Sequence, residues 1–377
     1  MNFIFASDSF KGSLSSMEIN SILEKSAKKH FKGVKISKIA IADGGEGTLD
    51  AFLSAKGGAR VPVSVKDPLF RDISADYANI GDRAVICMAE ASGLTLLDES
   101  EKDPLKTTTH GTGELIKAAM EAGHRDIIIA IGGSATNDGG IGAMIALGVK
   151  FFDAEGKELR GVGADLVRIT RIDTSEISPL IKKTKFTVMC DVENPLCGEN
   201  GATYTYGRQK GGTDQILDDL EAGMKNYARL LKSEFGADPN TVVGGGAAGG
   251  LGAALKLFLG AEMRSGIDLM LEVSDFESKI ENCDFVFSGE GRIDGQSAFG
   301  KVIYGIGKRC KLHKKPLICV AGSIGDGAEK LRDIGVCAMF SIANSPMTLE
   351  YAIENAAELL AAAADNIFVL IRSAGVN

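Results

Sequence analysis

The sequence predicts an α/β protein of two domains. Three observations predict it. Apolar runs of strand length alternate with helix-length segments at both ends of the chain. Between about 60 and 90 the texture changes to short strands of period two. The length, 377 residues, exceeds what one ordinary core organises.

The elements follow in order. Phe3-Ile4-Phe5-Ala6 reads as a short strand, followed by a polar loop over 7–12. Ser15 and Glu18 have the spacing of a capping box, in which the hydroxyl satisfies an orphan helix amide and the carboxylate reaches back. The helix they open carries Ile19, Ile22, Leu23 and Ala27 on one stripe. A second strand over 35–42 ends in Asp43-Gly44-Gly45-Glu46-Gly47. Segments 61–65 and 73–78 alternate apolar and polar, and 84–89 follows Gly81-Asp82, which predicts short antiparallel strands joined by turns. A helix over 111–122 precedes a fully buried strand, 127–131, that runs into the loop 132–140. Another strand, 186–190, ends at Asp191, and helices cover roughly 214–234 and 249–259. Late in the chain, strands at 285–288, 316–321 and 337–341 precede a long Ala/Leu-rich helix. Residues 1–65 and 276–377 are expected to form one discontinuous, Rossmann-like parallel-sheet domain, with 66–275 as an inserted mixed α/β domain. The alternative is two consecutive domains split near 150 or 270.

Composition excludes several classes. With 42 Lys+Arg against 50 Asp+Glu, the formal charge is 42 − 50 = −8, and no basic block is present. That argues against a nucleic-acid partner. No uninterrupted apolar stretch approaches the roughly 20 residues that span a bilayer, so no membrane partner is expected. The N-terminus lacks the basic region and long apolar core of a secretory signal. Seven cysteines include no Cys-x-x-Cys pair, and four histidines share no ligand spacing. These are expected to be reduced thiols of a cytoplasmic protein, with neither a zinc site nor a disulfide framework. The oligomeric state stays open, a homodimer included.

Glycine supplies 47 residues of 377, about an eighth, where about 7% is usual. The glycines cluster at the ends of apolar runs, in loops 7–13, 43–48, 132–140, 244–250 and 289–300. Each loop alone is adequately explained as turn geometry. Five of them at strand ends favour phosphate binding, because helix N-termini there present amides and a positive dipole to anions. Gly-x-Gly-x-x-Gly is absent after the first strand, which weakens a dinucleotide oxidoreductase. The nearest approach to a Walker A loop is 295–302, but Val302 replaces the hydroxyl residue that ligates magnesium. Lys301, at a helix start, remains a cation suited to a phosphate.

Charged groups populate the same loops. Asp43, Asp138, Asp191, Glu290 and Asp294 follow strands or lie in these loops. Phosphoryl transfer needs magnesium held by carboxylates, cations and amides on the phosphates, and a base or orienter for the acceptor hydroxyl. Asp191, directly after an apolar strand, has the placement of a base or a metal ligand. A cap or turn role is the structural alternative for any one of these residues. Lys11 and Arg292 are the leading cations for a carboxylate or phosphate, with Lys210 a weaker candidate. Surface salt bridges worth under about 1 kcal/mol are the alternative there.

Six segments closely resemble motifs of the bacterial glycerate kinase family, of the type that makes 2-phosphoglycerate. They are Ser7-Asp8-Ser9-Phe10-Lys11-Gly12-Ser13-Leu14, Ala42-Asp43-Gly44-Gly45-Glu46-Gly47-Thr48, Thr108-Thr109-His110-Gly111-Thr112-Gly113-Glu114-Leu115, Ile131-Gly132-Gly133-Ser134-Ala135-Thr136-Asn137-Asp138-Gly139-Gly140, Cys190-Asp191-Val192-Glu193-Asn194-Pro195-Leu196 and Ser288-Gly289-Glu290-Gly291-Arg292-Ile293-Asp294. Arg208 and Gly244 stand where the family usually has proline, and His110 where it commonly has tyrosine.

The resemblance implies ATP- and Mg²⁺-dependent phosphorylation of D-glycerate, in a two-domain α/β fold with the site in the interdomain cleft. A kinase working across a cleft must exclude water, so domain closure on binding both substrates is expected. ATP is then expected along Gly132, Gly133, Ser134, Thr136, Asn137, Gly245 and Gly246, with Lys301. Mg²⁺ is assigned to Asp138 and Asp191. Ser9, Lys11, Asp43, Arg292 and Asp294 are assigned to glycerate, Lys11 or Arg292 gripping its carboxylate. Asp191, Lys11 and Arg292 form the expected catalytic set. Three alternatives stand beside this reading: a kinase giving 3-phosphoglycerate or acting on a related hydroxy acid, a nicotinamide-dependent oxidoreductase, and a non-catalytic nucleotide-responsive protein.

Overall fold

β1 (Asn2–Phe5) is the first of thirteen strands among the described residues. The others are β2 (Lys35–Lys38), β3 (Ala59–Lys66), β4 (Asp72–Ile80), β5 (Arg83–Cys87), β6 (Asp126–Ala130), β7 (Lys150–Phe152), β8 (Arg171–Asp173), β9 (Lys185–Met189), β10 (Glu262–Arg264), β11 (Phe285–Ile293), β12 (Leu317–Ile324) and β13 (Val336–Ser341). The computed structural model describes residues 1–375 apart from 43, 46 and 299–301. The chain divides into two compact units. The first gathers Met1–Ala42, Ser54–Lys56 and Ile267–Asn377, and the second gathers Asp43–Leu53 and Gly57–Gly266.

The first unit is built on a sheet of order β13-β12-β11-β1-β2. All four pairings are parallel. Strand alternation puts Phe3 and Phe5 on one face. Their rings meet Phe287 of β11, with centroids 5.9 and 5.4 Å away, and Phe287 in turn lies 5.1 Å from Phe368. Phe368 belongs to the helix Ala356–Ser373, whose alanine and leucine content favours helix. The helix Ser16–His30 covers the same core. Its capping box is formed: Glu18 N donates to Ser15 Oγ at 3.3 Å, and Ser15 N donates to Glu18 Oε2 at 2.8 Å. Burying one such phenylalanine is worth roughly 1.5–3 kcal/mol, so this aromatic cluster is a major source of the unit's cohesion.

The second unit carries a mixed sheet of order β10-β9-β6-β5-β4-β3. β10, β9, β6 and β5 run parallel, while β4 and β3 are antiparallel additions. The period-two segments thus become β3, β4 and β5, with β3 and β4 in register from Ala59↔Asn79 to Lys66↔Asp72. β7 and β8 form a separate two-stranded ribbon. The core packs Ile127 and Ile129 of β6 with Ile116, Phe151, Tyr227 and Leu251. The helix Asp214–Phe235 contributes Tyr227; Thr213 caps its start and Gly236, in the left-handed region, ends it.

One local expectation changes, and one strand is new. The segment 289–292 is not a loop, because β11 continues through Gly289, Glu290, Gly291 and Arg292 to Ile293, paired with β12 up to Ile293↔Ile324. A methyl on Gly289 would stand 2.0 Å from the Val320 carbonyl oxygen, so glycine here permits a close strand approach, not a turn. β10, three residues with little apolar content, has no counterpart in the sequence reading; its pairing with β9 defines it. No described helix is long and apolar enough to cross a membrane.

Candidate active site

Parallel strands deliver their C-terminal ends to one edge of a sheet. In the second unit, β6 leads into 132–140, β9 into Asp191, and β10 into Ser265-Gly266. Several backbone contacts tie these ends together. Gly132 N donates to Gly44 O at 2.9 Å. A methyl on Gly132 would lie 2.8 Å from Gly44 C, so only glycine allows this crossing. Gly139 N donates to Gly249 O at 2.9 Å, and Gly246 N to Asn194 O at 2.9 Å. The glycine run 244–250 therefore lies against both 132–140 and the segment after β9. The structure brings Gly132, Gly133, Ser134, Thr136, Asn137, Asp138, Asp191, Gly245 and Gly246 into one neighbourhood.

Not every amide in 132–140 is available. Those of Gly132, Ala135, Gly139 and Gly140 are used within the unit. The amides of Gly133 and Ser134 donate to no described residue. Gly133 is exposed and has positive φ. With Thr136, Asn137 and Asp138 fully buried, these two amides lie at the more open end of the loop, where an anion can meet backbone donors.

Asp138 departs from its expected role. It is fully buried, and its carboxylate accepts from Thr109 N and Thr109 Oγ1 at 2.8 Å each, from Gly140 N at 3.0 Å and from Gly142 N at 3.2 Å. Burial pushes its pKa up, and the Thr109 and glycine hydrogen bonds pull the other way. A carboxylate so enclosed fits a structural anchor for the loop and does not fit a magnesium ligand, which needs open lone pairs and room for water. Thr109, which the sequence reading left without a role, shares this anchor; its Oγ1 also accepts from Ala143 N at 2.9 Å. No local pattern marks a threonine for such a task.

Asp191 is exposed. Its Oδ1 accepts from Ser265 Oγ at 3.0 Å and from Gly266 N at 2.8 Å. The two bonds orient the carboxylate at the strand end. Among the described residues, no group of three or more His, Cys, Asp or Glu is placed to hold a metal ion. Magnesium, however, needs only one or two carboxylates when phosphate oxygens and water complete its shell, and Asp191 fits that donor set.

Lys210 is the residue the sequence most undervalued. It is 1% exposed. Its ammonium donates to Thr136 O at 2.6 Å, underneath the loop. Burial lowers its pKa to about 7, while the Asp138 carboxylate acts to raise it. Thr203, seven positions earlier, accepts from Asn137 Nδ2 at 3.1 Å.

In the first unit, the loop after β1 and the end of β11 are adjacent. Asp8 N donates to Gly289 O at 2.8 Å, and Gly291 lies against Phe10 and Lys11. Ser9 N donates to Asp8 Oδ1 at 2.7 Å, which shapes the loop. Lys11 is exposed. Arg292 Nε lies 3.3 Å from Asp294 Oδ2, with the arginine side chain mostly in solvent. Glu290 is buried and bonded by Ser297 Oγ. Ser9, Lys11, Arg292 and Asp294 are thus brought together on this unit. Asp43 and Lys301 lie outside the described residues.

Glycine-bearing loops at the ends of parallel strands, with cations and an oriented carboxylate, define an α/β protein of the anion-binding, phosphoryl-transfer class. The chain belongs to the glycerate kinase family, whose model matches residues 3–372. It is 42% identical over 369 residues to the glycerate 2-kinase of Escherichia coli K12, covering 97% of each chain. It is 42% identical over 376 residues to the glycerate kinase of Bacillus subtilis 168, covering 99% of this chain and 98% of that one. A crystal structure from Salmonella typhimurium LT2, described as a glycerate kinase 2, superimposes with a TM-score of 0.87 at 39% identity, covering 100% of this chain and 99% of that chain.

Proposed function

We propose that the chain transfers the γ-phosphoryl group of ATP to the C2 hydroxyl of D-glycerate, giving 2-phosphoglycerate and ADP. The observation that carries this reading is the family match over residues 3–372, a range that includes the glycine loops, Asp191, Lys11 and Arg292. The 2-position follows the name of the Escherichia coli relative.

The residues divide the work as follows. ATP phosphates lie against loop 132–140, with the Gly133 and Ser134 amides as donors, and against Gly245 and Gly246. Lys11 or Arg292 binds the glycerate carboxylate; an arginine fork matches a carboxylate in bidentate fashion, and Asp294 holds that fork ready. Ser9 orients the substrate beside Lys11. Asp191 orients the C2 hydroxyl and takes its proton on the carboxylate as the new O–P bond forms. A loose transition state asks for positioning and charge neutralisation above all. Magnesium, held through Asp191 and phosphate oxygens, supplies further neutralisation when bound.

The test is an assay of ATP with D-glycerate, the product resolved by ³¹P and ¹H NMR. The expected result is ADP with 2-phosphoglycerate, and no turnover of glycerol, which lacks the carboxylate. Exclusive formation of 3-phosphoglycerate would replace the regiochemistry; ADP release with glycerol but not with glycerate would overturn the reading.

A further inference from the structure

A lysine with a 1% exposed side chain is costly to keep. Removing an ammonium from water is compensated only by good hydrogen bonds or an opposing charge. Among the described residues, Lys210 has one hydrogen bond, to Thr136 O at 2.6 Å. The opposing charge acting on it is the carboxylate of Asp138, itself fully engaged by Thr109, Gly140 and Gly142. A purely structural role would be served better by an uncharged donor.

The surroundings show a second irregularity. The buried Thr136 Oγ1 and Asn137 Oδ1 have no hydrogen-bond partner among the described residues. Unsatisfied buried polar atoms in a native fold call for an explanation. Both belong to the two residues that the segment 203–210 holds from beneath, through Thr203 and Lys210. Above them the loop exposes Gly133. Lys210 is thus bonded to the backbone of a loop in which the amides of Gly133 and Ser134 donate to no described residue.

We propose that Lys210 is a positioning residue for the nucleotide: it fixes loop 132–140 through the Thr136 carbonyl and sets beneath the loop the positive charge that the phosphate chain of ATP meets there. This rests on the reading of 132–140 as the triphosphate site. Lys210 acts through the loop and does not touch the reacting atoms. Its effect therefore scales with the number of phosphates on the ligand, which a role in packing alone would not produce.

The experiment is calorimetric titration of the full chain with AMP, ADP and ATP, for the wild type and Lys210→Met. The expected result is a Kd for ATP raised at least tenfold, for ADP by less, and for AMP by under twofold. In steady state, the ATP KM rises while the D-glycerate KM stays within twofold. Should Lys210→Met fail to fold, Lys210→Gln, which can still donate to the Thr136 carbonyl, carries the same comparison. Wild-type binding with variant affinities unchanged, or weakened equally for all three nucleotides, overturns the inference alone. A wild type that binds no ATP removes the functional reading as well.

Discussion

Gly249 lies over Thr136 so closely that a methyl group on it would stand 2.1 Å from the Thr136 carbonyl oxygen. That oxygen is also the acceptor of the Lys210 ammonium. The backbone of Gly249 is also left-handed, with φ +64°. Replacing Gly249 by alanine adds both left-handed strain and a backbone clash, together about 3 kcal/mol. The expected outcome is a lower urea midpoint and an ATP KM raised by tenfold or more. A Gly249→Ala protein with wild-type stability and ATP KM would show that the two loops do not depend on this contact.

Asp191 is the carboxylate that the second unit presents to solvent at a strand end, oriented by Ser265 and Gly266. Asp191→Asn keeps its shape and removes its basicity. General-base removal costs about 10²–10⁴ in rate, so kcat is expected to fall at least ~100-fold with the melting temperature little changed. Near-normal turnover in a folded Asp191→Asn protein would exclude Asp191 from proton transfer.

Lys11 and Arg292 are the cations proposed to meet the glycerate carboxylate. A charge-assisted hydrogen bond is worth about 1.5–3 kcal/mol, so Lys11→Met and Arg292→Met are each expected to raise the glycerate KM about tenfold or more, with the ATP KM unchanged. The two need not contribute equally, because Arg292 is shared with Asp294. Measuring both constants for each variant decides which cation grips the substrate; an unchanged glycerate KM excludes the one tested.

Asp365, on the helix Ala356–Ser373, gives a pH signature remote from the chemistry. Hydrogen bonds from Lys29, then Ser26, with His30 adding to them, hold its pKa down to about 2. A carboxylate whose folded pKa is depressed adds stability that is complete above its unfolded value of about 3.9 and is lost as pH falls through the folded one. Discounted for solvent screening, this amounts to about 1 kcal/mol. Asp365→Asn is expected to lose about that much at pH 7 and progressively less as pH falls from about 4 through about 2. Equal urea midpoints for both proteins at pH 7 would show that the cluster contributes nothing measurable.

Elements set by neighbours in sequence are legible from the residues; those set by distant partners are not. β6 was legible because a short apolar run running directly into 132–140 admits little but a buried strand. The capping box at Ser15 and Glu18 was legible because its donors and acceptors lie within four residues. What escaped depends on partners distant in sequence. Whether Gly289 turns or extends is decided by Val320 of the neighbouring strand. Whether Asp138 faces solvent or the interior is decided by Thr109 and the helix Ile141–Ala146 behind it. Lys210 looked like one more charged residue between glycines; its burial comes from the loop folded over it.

Phe3 is registered with Phe285, and β1 lies between β2 and β11 in its sheet. During synthesis, therefore, β1 can find only β2 on one flank until residue 285 has left the ribosome. The intervening unit has its own sheet and core, all of it encoded earlier, and can complete its folding in that interval. Until then the nascent β1–helix–β2 unit carries Phe3 and Phe5 of β1 along an open strand edge, a surface that a chaperone can cover.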